Sequence, residues 1–405
     1  MIDQKIELLS PAGDIERLNS SINFGADAVY LASTEFGMRT ASANFDDDNL
    51  AKAVAIAHKN DVKVYLTCNT LPRNNEISRL PDFLCMANNA NVDAFIISDI
   101  GVFNLAQKYA PNVDIHISTQ AGIVNFVTAR TFYDMGAKRV VLARELSLEE
   151  ISEIRDKTNK NLEIEAFVHG SMCVSFSGRC LISNYLTNRD SNRGDCCQPC
   201  RWKYHLVEET RPGEYFPINE NNEGTYLLNS KDLCMIEHIP ELVKAGITSF
   251  KIEGRAKSAY YTSVVTNAYR HAIDDYEKDP EHYSLKPWIL QELEKVSHRE
   301  YSTGFFFGNQ PGQVTSNGGY VRNYDVVAVV DGYDGKFLKV SQRNKFYKGD
   351  ILDVLPPKGK PFNLKVLDLF NEYNQAVDCA PHAMQTLFIP SNIDVPINSL
   401  LRKKR

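Results

Sequence analysis

Five of the nine cysteines fall between Cys173 and Cys200, in the stretch HGSMCVSFSGRCLISNYLTNRDSNRGDCCQPCRW. Cys173 and Cys180 are separated by six residues, Cys180 and Cys196 by fifteen, and Cys196 and Cys200 by three. Thiolates are soft donors that suit iron-sulfur clusters or zinc, and a loop punctuated by Gly170, Gly178, Gly194 and Pro199 can wrap a metal. The spacing therefore reads as a ligand set, with three chemistries open. Disulfides would need an oxidising compartment. The opening MIDQKIELLSPAGD has neither the basic n-region nor the apolar h-region of an export signal, so the chain is expected in the cytoplasm. Structural zinc usually takes two short paired knuckles, which the wide first pair does not match. An iron-sulfur cluster is favoured over both. Cys196 and Cys197 are adjacent, so their side chains diverge and one of them is expected to ligate. Cys234 is the rival for the fourth place. Cys68, Cys85 and Cys379 stand alone in apolar stretches and are expected to be small core residues.

Such a loop needs a frame to hold it. Eight β-branched or aromatic runs recur along the first 255 residues: Ile6 to Leu9, Ala28 to Leu31, Val62 to Thr67, Ala94 to Ser98, Ile115 to Ser118, Arg139 to Ala143, Leu162 to Phe167 and Ser249 to Ile252. Each is followed by a turn and a stretch with helical spacing. Alternation of this kind implies parallel βα units, and the number and length match a (β/α)8 TIM-barrel-like domain. A doubly wound open sheet is the second choice. Several runs follow one cue, GADAVYLA, NVDAFIIS, GAKRVVLA and GITSFKIE, as if a single unit had been repeated.

In a barrel the chemistry gathers where strands end at their carboxyl side. The residues there are Ser10-Pro11-Ala12-Gly13, Cys68-Asn69-Thr70, Asp99, Thr119-Gln120, Arg144-Glu145, His169-Gly170 and Glu253-Gly254-Arg255. His169 and Glu253 are candidate catalytic groups. Arg144, Arg255, Lys251, Gln120 and Asn69 are candidate ligand-binding groups, and with Arg39 and Arg73 they offer cationic forks to a carboxylate-rich ligand. The bland alternatives are loop salt bridges for the arginines and a hydrogen-bonded structural role for the histidine.

The chain has 405 residues, 43% of them hydrophobic, and a net charge of -6. That balance excludes a generally basic nucleic-acid binder but leaves room for a local basic face. No apolar run reaches the roughly twenty residues needed to span a bilayer, so no membrane association is expected. The expected organisation is a barrel domain over 1–278 with the cysteine loop at 170–234, a helical connection over 279–319, and a small C-terminal domain over 320–405. In that last part, YDVVAVVDGYDGKFLKVSQRNKFYKGDILDVLPP alternates apolar with polar residues around DG turns, the mark of a small antiparallel β-barrel. Its Lys336, Lys339, Arg343, Lys345 and Lys348, with the terminal Arg402-Lys403-Lys404-Arg405, form the candidate RNA-binding face; a solvated strand face and tail is the plain alternative.

The string EAFVHGSMCVSFSGRCLIS, with CQPCRW, NSKDL and SFKIEGRAKS, resembles the collagenase-like peptidase family of unknown catalytic type over nearly the whole chain. The resemblance implies a 4Fe-4S cluster on Cys173, Cys180, Cys196 and Cys200. RPGEYFPI and the C-terminal domain resemble the branch that hydroxylates the wobble uridine of tRNA to 5-hydroxyuridine more than the branch used in oxygen-independent ubiquinone hydroxylation. It implies prephenate as co-substrate, tRNA as partner, and a possible paralogous partner subunit. Prephenate carries two carboxylates, which would explain the cationic ring. The peptidase name fits less well, since the chain has no GxSxG elbow and no HExxH helix, and a cysteine committed to iron is not a free nucleophile. A collagenase-like peptidase remains the alternative, and an RNA-binding scaffold with a structural cluster is a further one.

Overall fold

Parallel strands alternate with helices and close into a ring in the structure, a computed structural model that describes residues 5–38, 44–173, 175–202, 206–207, 215–216, 230–308 and 320–405. The strands are β1 (Glu7–Pro11), β2 (Ala28–Ala32), β3 (Lys63–Cys68), β4 (Ala94–Ile97), β5 (Asp114–Ile117), β6 (Arg139–Val141) and β7 (Glu163–Ser171). A short hairpin, β8 (Leu206–Val207) with β9 (Tyr215–Phe216), and the strand β10 (Asp232–Cys234) follow before the eighth barrel strand, β11 (Ser249–Ile252). Neighbours pair in parallel from β1 to β7, and β11 pairs with both β7 and β1, which closes the barrel. The repeated cue has a local cause. Gly25, Asn91, Gly136 and Gly246 all sit at positive φ just before a strand, the left-handed residue that ends a helix and turns the chain back.

Along each strand, alternate residues face alternate layers. Leu8, Val29, Leu31, Val64, Leu66, Phe95, Ile97, Ile164 and Phe250 join the large core between sheet and helices, while Leu9, Ala28, Tyr30, Tyr65, Ala94 and Ile96 form a separate cluster inside the ring. The interior also holds a charged group. Arg139, 4% exposed, donates to Glu7 at 2.6 Å, to Glu165 at 2.9 Å and to Glu163 at 2.5 Å, and Glu165 also accepts from Lys251 at 2.6 Å. Burial works to raise the Glu7 carboxyl, but the Arg139 guanidinium outweighs it and holds the carboxyl below its ordinary value.

One irregularity decides what reaches the mouth. Strand β7 runs to Ser171, beyond the expected end at Phe167, because His169, Gly170 and Ser171 pair antiparallel with β10. Where β7 meets β11, Lys251 lies opposite Phe167 but Ile252 lies opposite His169, so Val168 is an extra residue in the ladder. Such a bulge reverses which residues face inward beyond it.

The segment after the barrel packs back on it through the helix Pro287–Leu293 and β12 (Tyr301–Ser302), which pairs with β10. The C-terminal strands β13 (Tyr324–Tyr333), β14 (Phe337–Gln342), β15 (Ile351–Leu355), β16 (Phe362–Lys365), β17 (Phe370–Asn371), β18 (Thr386–Pro390) and β19 (Leu400–Lys404) form one antiparallel sheet. Its order is β16-β15-β19-β13-β14-β18-β17, and it curls around Val327, Val340, Phe346, Leu352, Leu387 and Leu401. The terminal basic run is therefore no solvated tail. Arg402, Lys403 and Lys404 lie in β19, and Arg402 is paired on both sides and fully buried in a bidentate pair with Glu292 at 2.6 and 3.2 Å, while Lys404 and Arg405 stay exposed. Lys403 pairs with Asp350 and Arg405 with Asp325. Leu355 and Leu400 join the barrel's own core, and Asn267 of the helix Ala259–Lys278 donates to the Gly359 carbonyl at 3.1 Å. Among the described residues no helix is long and apolar enough to cross a membrane.

Candidate active site at the barrel mouth

Above the charged column lies a cavity of about 150 Å3. The inward residues Tyr30, Thr67, Ile96, Ser118 and Phe167 form its floor and lower wall, and the segment from Cys173 to Cys200 forms its roof. Cys173, Cys180, Cys196 and Cys200 all line it, together with Asn69, Gln120, Arg144, Lys251, Glu253 and Arg255. Residues from six loops thus meet in one space, as expected of the carboxyl face of a barrel.

The roof is tied down by specific bonds. Ser177 gives its N–H to Glu145 at 2.9 Å and its hydroxyl at 3.0 Å, and Arg193 pairs with Glu76 at 2.8 Å. Cys180 is held by its backbone, whose carbonyl accepts from Ser191 Oγ and Asn192 Nδ2, each at 2.8 Å. Gly178, at φ +75°, rests on Gln120; a Cβ there would stand 2.5 Å from the Gln120 carbonyl oxygen. Glycine is what lets the loop approach the mouth this closely.

The cysteines divide cleanly. Cys197 turns away from the cavity to Ser183 Oγ at 3.3 Å and Thr187 Oγ1 at 3.1 Å, two contacts that lower its thiol pKa. Cys234 is on β10, opposite His169, and burial pushes its thiol up to about 12. Cys68 is buried at the end of β3 as expected, whereas Cys85 is exposed on the helix Leu80–Asn89, with its Sγ 3.6 Å from the Tyr109 carbonyl. Cys379 is half-buried. The Cys196 sulfur accepts from the Gln198 N–H at 3.4 Å. Four thiols on one wall, with the two rivals turned elsewhere, fit the donor set of an iron-sulfur cluster. Among the described residues no three His, Cys, Asp or Glu side chains are drawn in to metal-ligating distance.

The cations are not equivalent. Arg144 donates to the Ser171 carbonyl at 3.0 Å and lies over the Phe167 ring at 5.3 Å. Burial acts to lower its pKa, but the Cys173 sulfur and the Glu253 carboxylate outweigh this and raise it. Arg255, 3% exposed, reaches Thr67 Oγ1 at 3.1 Å. Lys251 lines the cavity but is committed to Glu165, with its ammonium 4.6 Å from the Tyr30 ring centroid. Asn69 accepts from the Met38 N–H at 3.1 Å and donates to Ser118 Oγ at 3.3 Å. Arg73 lies outside the lining, its N–H bonded to Glu76, and Arg39 lies outside the described residues.

His169 does not line the cavity. The bulge at Val168 turns its ring outward to Tyr261, Tyr269 and Tyr301, with centroids 6.0, 5.5 and 5.4 Å away. Neither ring nitrogen has a hydrogen-bond partner among the described residues, and burial lowers its pKa to about 3. No histidine is among the described residues of the lining. Tyr30 and Phe167 are lining residues that the strand-end reading passed over; strict alternation along β2 and β7 would have found both.

A family model described as Peptidase family U32 matches residues 13–316, and one described as Peptidase family U32 C-terminal domain matches residues 322–402. The tRNA hydroxylation protein P1 of Bacillus subtilis is 36% identical over 407 residues, covering 100% of this chain and 96% of that protein. An uncharacterized protease of Methanocaldococcus jannaschii is 44% identical, over 83% of this chain and 79% of its own length. The 23S rRNA 5-hydroxycytidine synthase of Escherichia coli is 34% identical, over 76% of this chain and 46% of its own length.

Proposed function

The chain belongs to peptidase family U32, and we propose that within it the protein is an RNA hydroxylase that converts the wobble uridine of tRNA to 5-hydroxyuridine, with prephenate as co-substrate. The observation that carries this reading is the single cavity lined by four cysteines, two arginines, Lys251 and Glu253. The relatives whose names describe tRNA and rRNA hydroxylation support the reaction class.

Cys173, Cys180, Cys196 and Cys200 would hold a 4Fe-4S cluster, which would supply redox chemistry at the cavity wall. Arg144 and Arg255 offer guanidinium forks to the two carboxylates of prephenate, the strong bidentate kind of pair. Lys251 adds positive charge below them, its position set by Glu165. Glu253, near Arg144 and with Tyr30 Oη 3.5 Å from its Oε2, is the carboxylate that would hold a proton beside the reacting base. Phe167 and Tyr30 close the floor and keep bulk water from the reaction. His169 has no role in this scheme.

A peptidase needs an activated nucleophile, and the described lining has no histidine to pair with a cysteine. The test is anaerobic purification with iron and sulfide quantification, followed by nucleoside mass spectrometry of tRNA incubated with the protein and prephenate. The expected result is 5-hydroxyuridine that depends on prephenate. A fully iron-loaded protein that leaves uridine unchanged would remove the reading.

A further inference from the structure

A second opening, of about 500 Å3, lies between the barrel mouth and the C-terminal sheet, and Glu253 lines both it and the cysteine cavity. Three features of its walls point to one kind of ligand. The 20-residue helix Ala259–Lys278 starts here, and its N-cap Ser258 lines the cleft together with Lys257, Tyr260 and Tyr261. A helix start carries partial positive charge and outward N–H groups, and the loop after the last barrel strand is a common phosphate site in such barrels. Ser171, 8% exposed, also lines the cleft, and its Oγ has no hydrogen-bond partner among the described residues. A buried hydroxyl without a protein partner is ready to donate to a ligand oxygen. Finally, Lys257 and Arg322 stand beside Tyr320 and Tyr324, with the Lys257 ammonium 4.4 Å from the Tyr320 ring centroid. Cations interleaved with aromatic rings are how single-stranded nucleic acid is gripped.

We propose that this cleft is a subsite for the phosphate backbone of single-stranded RNA flanking the nucleotide whose base enters the cysteine cavity; the proposal rests on the RNA-hydroxylase reading above. The cysteine cavity, about 150 Å3, is small beside the roughly 300–1,000 Å3 of ordinary ligand pockets, so the strand has to be held outside it. Glu253, as the common wall, sets the two spaces side by side. The cleft is preformed, because the buried Arg402–Glu292 pair and the Lys295–Asp353 bond at 2.6 Å lock the sheet against the barrel's helices. In an acidic chain this places the grip at the domain junction rather than on the outer sheet face, where Lys348 is paired with Asp368.

The test is fluorescence anisotropy of the full chain with a labelled single-stranded oligoribonucleotide of anticodon-loop length, across a salt series. Lys257→Gln/Arg322→Gln is expected to weaken binding at least tenfold and to lower the salt slope by about one for each phosphate no longer neutralised. Lys336→Gln/Lys339→Gln, on the outer face, is expected to stay within twofold. Unchanged binding by the cleft variant, or an equal loss in the outer-face variant, overturns the proposal. Photocrosslinking of 4-thiouridine RNA to the unaltered protein does not depend on how a variant folds. Adducts on residues 320–325 support the subsite, and adducts confined to β14 and β18 overturn it. If the protein modifies tRNA while the cleft variant binds normally, the subsite falls and the function stands. If it neither binds the oligonucleotide nor modifies tRNA, both fall.

Discussion

Lys251 Nζ lies 2.6 Å from Glu165 Oε1 on the adjacent strand, and both side chains are almost fully buried, at 4% and 0% exposure. This pair joins the cavity floor to the Arg139 cluster at the far end of the barrel, since Glu165 also accepts from Arg139 at 2.9 Å. A buried carboxylate serving two cations cannot be neutralised cheaply. Removing its charge takes away the carboxylate partner of buried Lys251, while Arg139 keeps Glu7 and Glu163, at a cost of about 3–5 kcal/mol. Glu165→Gln should lower unfolding free energy by that order in urea titrations. Glu165→Gln with Lys251→Met should recover part of the loss, because the pair is then removed together. A single variant as stable as the parent would show that the column does not hold the barrel.

Iron content separates the cysteines. Serine at Cys173, Cys180, Cys196 or Cys200 is expected to lower iron and sulfide per chain sharply after anaerobic purification, because each lines the cavity. Serine at Cys197 or Cys234 should leave both unchanged, as one sulfur is turned to Ser183 and Thr187 and the other is buried on β10. Full iron in Cys200→Ser together with loss in Cys234→Ser would reassign the fourth ligand.

Lysine is not a substitute for arginine where two carboxylates must be met by planar forks. Arg144→Lys and Arg255→Lys should each reduce kcat/KM for prephenate roughly tenfold or more, equivalent to about 1.4 kcal/mol of weakened binding. Isothermal titration should show the same weakening without turnover. Wild-type kinetics in the double variant would remove the carboxylate clamp from the mechanism.

The outward-facing His169 makes a pH prediction of definite sign. Burial is the main cause of its depressed pKa, about 3; Asp232 opposes it, and His298 and Lys257 add to it. The unfolded chain therefore takes up a proton near the ordinary histidine value, roughly 6.5, while the folded chain does not. Stability is fully present above that value and falls as pH drops toward 3, by at most roughly 1.4 kcal/mol per unit. His116, which burial and Arg139 also keep neutral, contributes in the same direction. Thermal midpoints across pH 4 to 7 should slope less in His169→Phe, about as expected for one titrating group fewer. An identical slope in that variant would place the proton uptake elsewhere.

Short-range rules make most of the barrel legible in the residues. Runs of β-branched residues, several of them preceded by a left-handed Gly or Asn, are enough to announce eight parallel strands, and the residues just after them are bound to reach the carboxyl face. Asn69, Gln120, Arg144, Glu253 and Arg255 meet in the cavity for that reason, and four cysteines lie above them because the loop carrying them leaves β7 on that side. Tertiary structure alone decided the rest. His169 is excluded from the mouth by one extra residue in the β7 ladder, and a bulge depends on the partner strand, not on the sequence around it. Lys251 looked like a free cation because its partner, Glu165, is 86 positions away. The basic run at the end of the chain read as part of an RNA-binding face or as a solvated tail, yet Arg402 is buried against Glu292, 110 positions earlier, because β19 is an inner strand of the sheet and docks on the barrel. Alternation and turn chemistry are written into neighbouring residues, whereas the partner of a buried charge is set only when distant segments fold together.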